Sequence, residues 1–564
     1  MKALGFLCLL FACALSVSAL DREAFTFTNY DLEVRIEPEQ QRLGVRGRLE
    51  LRNDSATVQN NAVLQISSSL NWRSIRVEAK PAQFLSQTFI SDIDHTGALS
   101  EAVVTLPKPV APKQVITLEI GYEGIIPQDA TRLTRIGVPP DVAKHSDWDQ
   151  ISRSFTAVRG IGNVAWYPIA TEAANLSEGN SVLEAVGRWK QRQADAELRI
   201  RFIRFADSSP TQHSLLCGQD EKQAIDVSRE CTFRNLNSTV PFFASGDFVA
   251  LERPEVSIFH LLGHESQAED YGLAVEEAAP YIEKLFGDRP TKSNTKPELI
   301  ELPDTDASPF QSSGTMLMPL SGNENALLMS AVQQLTQLAF PSLRSWIHDG
   351  LARYAAVSFL QEREGREAAL QYLRNHRSSL IQTEKQAVGE TDRAEHSLIN
   401  STDEFFVQTK AMSVWWMLRD MVGEAPLSAA LHNYQASEDK TPGYMQKLIE
   451  TQAHRDLKWF FDDWVYHDRG LPDFRIKSVY PRELVNGGYM VTVTVENSGQ
   501  VAAEVPVILR TAGRESSEKL MVSGNSNASV RIVCPSFLQQ AIVNDGSVPE
   551  IDERNNIYKV EEPK

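Results

Sequence analysis

The sequence predicts a multidomain α+β protein: an N-terminal β domain, a central mainly α domain and a C-terminal β-sandwich of immunoglobulin-like size. Three observations predict it. Residues up to about 254 alternate apolar and polar side chains, as half-buried strands do. Near residue 265 the apolar positions move to helical spacing, and from about 475 the alternation returns. The 564-residue length accommodates such units at roughly 100–200 residues each.

The first segment, MKALGFLCLLFACALSVSA, carries a lysine, an apolar run and small residues before a cleavage point after Ala19. It is expected to be a secretory signal peptide over 1–19, which places the protein outside the cytoplasm, periplasmic or secreted. LFAC could instead make Cys13 a lipid-bearing residue, a reading that the bulky Phe11 disfavours. The run is too short for a spanning helix, and no later segment is apolar enough to be one. Of five cysteines, Cys217, Cys231 and Cys534 follow Ala19. In oxidising surroundings Cys217 and Cys231 are expected to bond across a local loop, leaving Cys534 single. The net charge of −18 opposes nucleic acid and anionic lipid as partners.

Residues 20–254 form the expected N-terminal β domain. FTFTNYDLEVRIEPE, GVRGRLELRN, VITLEIGYEG, AELRIRFIRF and HSLLCGQ are its clearest strands. Residues 255–474 form the expected helical domain. ESQAEDYGLAVEEAAPYIEKLFGDRP opens with acidic residues and closes with Gly287 and Pro290, the signature of a bounded helix. Two short strands, PELIEL and SSGTMLMPL, precede helices expected over 324–340, 344–362, 365–385, 404–422, 425–437, 442–453 and 455–466. Residues 475–564 form the sandwich, with YMVTVTVEN, AEVPVILRTA, SSEKLMVSG, NASVRIVC and QQAIVN as strands.

Four local patterns in this order carry a resemblance. They are VAWYPIA at 164–170, WIHDGLARYA at 346–355, TKAMSVWWMLRDMVGEAPLSAALHNY at 409–434 and DLKWFFDDWVYHDRGLPDF at 456–474. Together they resemble the M1 aminopeptidases, a family of gluzincin metallopeptidases. The resemblance implies a saddle-shaped N-terminal β domain, a thermolysin-like domain and an added β-sandwich. It also implies a zinc site built on H-E-x-x-H plus a glutamate from the next helix, with the internal glutamate as general base.

Laid on that pattern, the first histidine falls on Gln333, the base on Gln334 and the second histidine on Gln337. The third ligand falls on Asp349, beside Gly350, and only eleven residues separate Gln337 from Asp349. The family's amine-gripping glutamate, in G-x-M-E-N, falls on Leu317 within GTMLM, and its catalytic tyrosine falls on Gln408. An amide is a weak donor to zinc and does not shuttle protons near neutral pH. The resemblance therefore implies a degenerate member: no functional catalytic residue, no zinc or other cofactor, and a cleft lined by Gln333, Gln334, Gln337, Asp349, Leu317 and Gln408. Asp349 and Arg353 are expected partners for Gln333, Gln334 and Gln337, with Gln337 bonding Asp349 in place of a metal bridge.

The expected function is the binding of a peptide or protein partner without cleavage, or an envelope scaffold. One alternative is an active metal-dependent peptidase using Asp349 with His348; another is a purely structural β-rich adhesin. HLLGH at 260–264, and His467 with Asp462, Asp463 and Asp468, read as structural rather than ligating. No nucleophile elbow, P-loop or dinucleotide fingerprint occurs.

Overall fold

The computed structural model describes residues 20–178, 181–203, 214–217, 221–223, 228–287, 296–312, 314–342, 344–387, 397–399, 401, 404–467, 469–485 and 487–560. The expected signal peptide, with Cys13, lies outside them, as does Asp468. Among the described residues no helix is long and apolar enough to cross a membrane.

The chain is a multidomain α+β protein with β-sheets at both ends and helices between them. In the N-terminal region the alternation does what it predicts: along Phe25–Glu37, Tyr30, Leu32 and Val34 are buried while Asp31 and Arg35 are exposed. That strand lies inside an eight-stranded sheet, antiparallel to Arg42–Asn53 on one side and parallel to Glu197–Ile203 on the other. A three-stranded sheet of Gln59–Ser67, Ala98–Val110 and Phe84–Ile90 contributes side chains to the same core. The VAWYPIA segment runs buried through this core. Tyr122 donates to the Trp166 carbonyl at 2.8 Å and Tyr30 to that of Pro168 at 3.1 Å, which satisfies backbone that no sheet covers.

A five-stranded sheet joins this region to the helices, in the order Phe248–Glu252, Ser257–Leu261, Glu298–Glu301, Thr315–Met318, Phe310–Ser312. Its two faces serve two cores. Leu299, Met316 and Met318 pack with the helices, and Ile300 and Leu317 pack with the N-terminal core. The expected division at 254/255 falls in the tight turn between the first two of these strands, where Arg253 donates its backbone N–H to the Val256 carbonyl at 2.9 Å. The sheet as a unit therefore begins near Phe248.

The helices follow the sequence closely: Glu265–Phe286, Glu324–Ala339, Ser345–Glu364, Arg366–Ala387, Glu404–Val422, Glu424–Asn433 and Tyr444–Ala453. The expected last helix is instead a short turn at Lys458–Phe461 continued by a π-helical turn at Asp462–Tyr466. That turn buries Trp464, whose indole donates to the Ala502 carbonyl at 2.8 Å in the C-terminal region. The C-terminal strands form two sheets, of three and four strands. Their inward residues, Val491, Val493, Val505 and Val507 among them, share one continuous core with the helices.

Candidate functional site

A cavity of about 780 Å³ lies between the N-terminal β region, the edge of the five-stranded sheet and three helices. Glu324–Ala339 is anchored at its start by Asn323, whose side chain accepts the Ala326 N–H at 2.9 Å. Gln333 and Gln337, one helical turn apart, both line the cavity. On the next helix, Ser345–Glu364, His348, Asp349 and Arg353 line it as well. Gln408 closes the helical wall. Gly350 sets how closely that wall is drawn together: a Cβ there would stand 2.3 Å from the Ala411 Cβ. No side chain larger than hydrogen fits where Ser345–Glu364 crosses Glu404–Val422.

Two contacts join the wall. Gln337 Nε2 donates to Asp349 Oδ1 at 3.1 Å, linking the two helices. Arg353 Nη2 donates to Gln408 Oε1 at 2.5 Å. The first is the contact anticipated from the sequence. The second is not, because Arg353 was expected to serve the glutamines at 333–337.

Gln334 and Leu317 do not belong to the cavity. Neighbouring residues on a helix point about 100° apart, so Gln334 turns away from the face that Gln333 and Gln337 share. It is fully buried. It accepts from the Tyr271 hydroxyl at 2.7 Å and donates to the carbonyls of Glu298 at 2.8 Å and Gly314 at 2.9 Å. It clamps its helix to a second helix and to the sheet. Leu317 is fully buried on the sheet face that packs with the N-terminal core. Met316, one residue earlier and so on the other face, lines the cavity instead.

The opposite wall holds residues that no catalytic or metal-binding pattern singles out. Asn237 and Gln311 line it, and the Asn237 Oδ1 and Gln311 Nε2 are buried without a hydrogen-bond partner among the described residues. The signal that would have found them is spatial: they come from a turn and a sheet-edge strand 74 residues apart. Cys217 and Cys231 are bonded to each other and also line this wall, while Cys534 is free and buried.

The other histidine candidates lie elsewhere. His264 pairs with Glu301 at 2.5 Å, His260 faces the Leu261 carbonyl at 2.9 Å, and His467 faces that of Asp462 at 2.9 Å. Asp463 accepts the Ala502 N–H at 3.0 Å and pairs with Arg469 at 2.8 Å, a structural role at the junction with the sandwich.

Chemically, the carboxamides of the cavity wall can bind but neither gain nor lose a proton near neutral pH, and His348 and Asp349 stand beside them. The set Gln333, Gln337 and Asp349 does not fit zinc, which favours imidazole and thiolate donors, and Gln337 already spends its amide on Asp349. Among the described residues, one group brings three metal-compatible atoms within 4.8 Å of one another: His145, Asp304 and Asp306, none of which lines this cavity.

No known family profile matches the chain, and no curated protein matches its sequence. Among solved structures it is similar to a point mutant of an M1 zinc metallopeptidase from Deinococcus radiodurans, crystallised with a Tyr-Ser-Ala substrate. The TM-score is 0.47 and the identity 13%, over 78% of this chain and 94% of that one.

Proposed function

We propose that the chain is an exported relative of the M1 aminopeptidases that has lost the zinc site and binds a peptide or protein partner without cleaving it. One observation carries the reading: the Gln337–Asp349 hydrogen bond at 3.1 Å. Two residues that the sequence pattern aligns with zinc ligands meet each other across adjacent helices, at the wall of a cavity large enough for a peptide segment. The pairing supports the alignment, and the amide chemistry supports the loss of the metal.

The rival reading is an active hydrolase holding a metal through Asp349 and His348. Both line the cavity, but two donors of this kind fall short of the three protein ligands of a catalytic zinc site. An adhesin without a groove is disfavoured by the cavity itself.

The test is elemental analysis of the purified protein together with hydrolysis of aminoacyl-arylamides. Substoichiometric zinc and no hydrolysis are expected. Stoichiometric zinc with turnover would overturn the reading. A variant carrying Gln333→His, Gln337→His and Asp349→Glu should gain zinc if the alignment of the two helices is right.

A further inference from the structure

We infer that the cavity receives the C-terminal end of a peptide, with Arg353 pairing the terminal carboxylate. The inference rests on the cavity being a peptide-binding cleft and adds which end of the ligand it recognises.

The charge of the cavity points this way. The chain carries −18, so its surface is dominated by carboxylates. Yet, among the described residues, the cavity is lined by Lys190, Arg234 and Arg353 against a single carboxylate, that of Asp349. Arg234 is drawn outward by Glu197, to which it donates at 3.0 Å. Arg353 has no such outlet. It is half-buried, and no carboxylate among the described residues forms an ion pair with it; its partner is the neutral Gln408 amide. A guanidinium carries five N–H donors in a planar fork, and two of them match the two oxygens of a carboxylate. A half-buried cation held by one amide is therefore short of an anion, and the open side of Arg353 is the cavity.

The carboxamides supply the rest of a peptide's needs. Each peptide unit brings one donor and one acceptor, and each Gln or Asn offers both. Gln333 and Gln408 stand on the helical wall, while Asn237 Oδ1 and Gln311 Nε2 on the facing wall have no partner among the described residues. Asp349, the one carboxylate among the described lining residues that could hold a free amine instead, already accepts from Gln337.

The experiment uses the full mature chain and a hexapeptide pool randomised at every position, labelled with fluorescein at its amino end. The pool is made as the free acid and as the carboxamide, and binding is read by anisotropy. Charge-assisted hydrogen bonds make the free acid bind about tenfold tighter or more. Arg353→Met should erase that preference, and Arg353→Lys should keep part of it. Gln408→Glu places a carboxylate against Arg353 without removing the cation and should erase the preference too, which serves where Arg353→Met does not fold. Unlabelled pools with free or acetylated amino ends then compete for the site. Equal binding of acid and carboxamide, or a preference for the free amine, overturns the inference and leaves the peptide cleft standing. A pool that binds in neither form overturns both.

Discussion

The helical region has two neighbours, and it meets them in different ways. Towards the C-terminal sandwich the contact is a continuous apolar core, closed by Trp464 and by the buried carboxylate of Glu550, which accepts from Asn544, Asn556 and the Phe474 N–H. Arg377 adds a bond to the Glu550 carbonyl at 2.8 Å. Towards the N-terminal region the same helices present glutamines, an aspartate and an arginine, and a cavity opens between them. The first junction is built like the interior of a domain. The second keeps polar groups half-buried and unfilled space, arrangements that cost stability and that persist where something binds. The proposed binding site is placed at the N-terminal junction because of this contrast.

The apolar junction should respond most strongly to substitution. Trp464→Ala should cost about 4 kcal/mol in urea unfolding, because it empties a fully buried indole site and strands the Ala502 carbonyl. The helical and C-terminal regions should still unfold in one transition; a separate early sandwich transition in the wild-type chain would break the claim of a shared core.

A pH titration sharpens the same junction. Burial pushes the Glu550 carboxyl up to about 7 from an ordinary 4.5, despite its three hydrogen-bond donors. Between those values the folded chain keeps a proton that the unfolded chain has released. The stabilisation is thus fully present below 4.5 and is lost as pH rises to about 7, by on the order of 3 kcal/mol. Urea midpoints at stepped pH check the slope, and Glu550→Gln should flatten it.

Two of the three glutamines of the helix Glu324–Ala339 divide along the same line. Gln334→Leu leaves the Tyr271 hydroxyl and the Glu298 and Gly314 carbonyls without their partner and should cost about 2–3 kcal/mol. Gln337→Ala, at the half-exposed cavity wall, should cost less than about 1 kcal/mol while changing ligand binding. Equal losses from the two would deny that one belongs to the core and the other to the site.

Much of this was legible in the sequence, and the misses have definite causes. Period-two and period-3.6 patterns placed the strands and helices because burial of one face is a local property. The Gln337–Asp349 contact was readable from helix spacing plus the W-x-x-E-G-like block around Asp349. Gln334 and Leu317 were placed in the cleft by motif correspondence, against their own periodicity. Gln334 is out of phase with Gln333 and Gln337, and Leu317 is out of phase with Met316. The boundary at 254 falls on a hairpin turn, Arg253 to Val256, inside one sheet, because a change of period does not mark where a sheet begins. Asn237 and Gln311 escaped because their meeting depends on how two regions dock, which no local pattern encodes.

The core shared with the sandwich has a practical consequence for anyone expressing pieces of this protein. A fragment ending before Phe474 would open Phe460, Trp464 and Val465 to water and would be expected to aggregate. The last ninety or so residues are better thought of as the far wall of the helical unit than as a removable appendage.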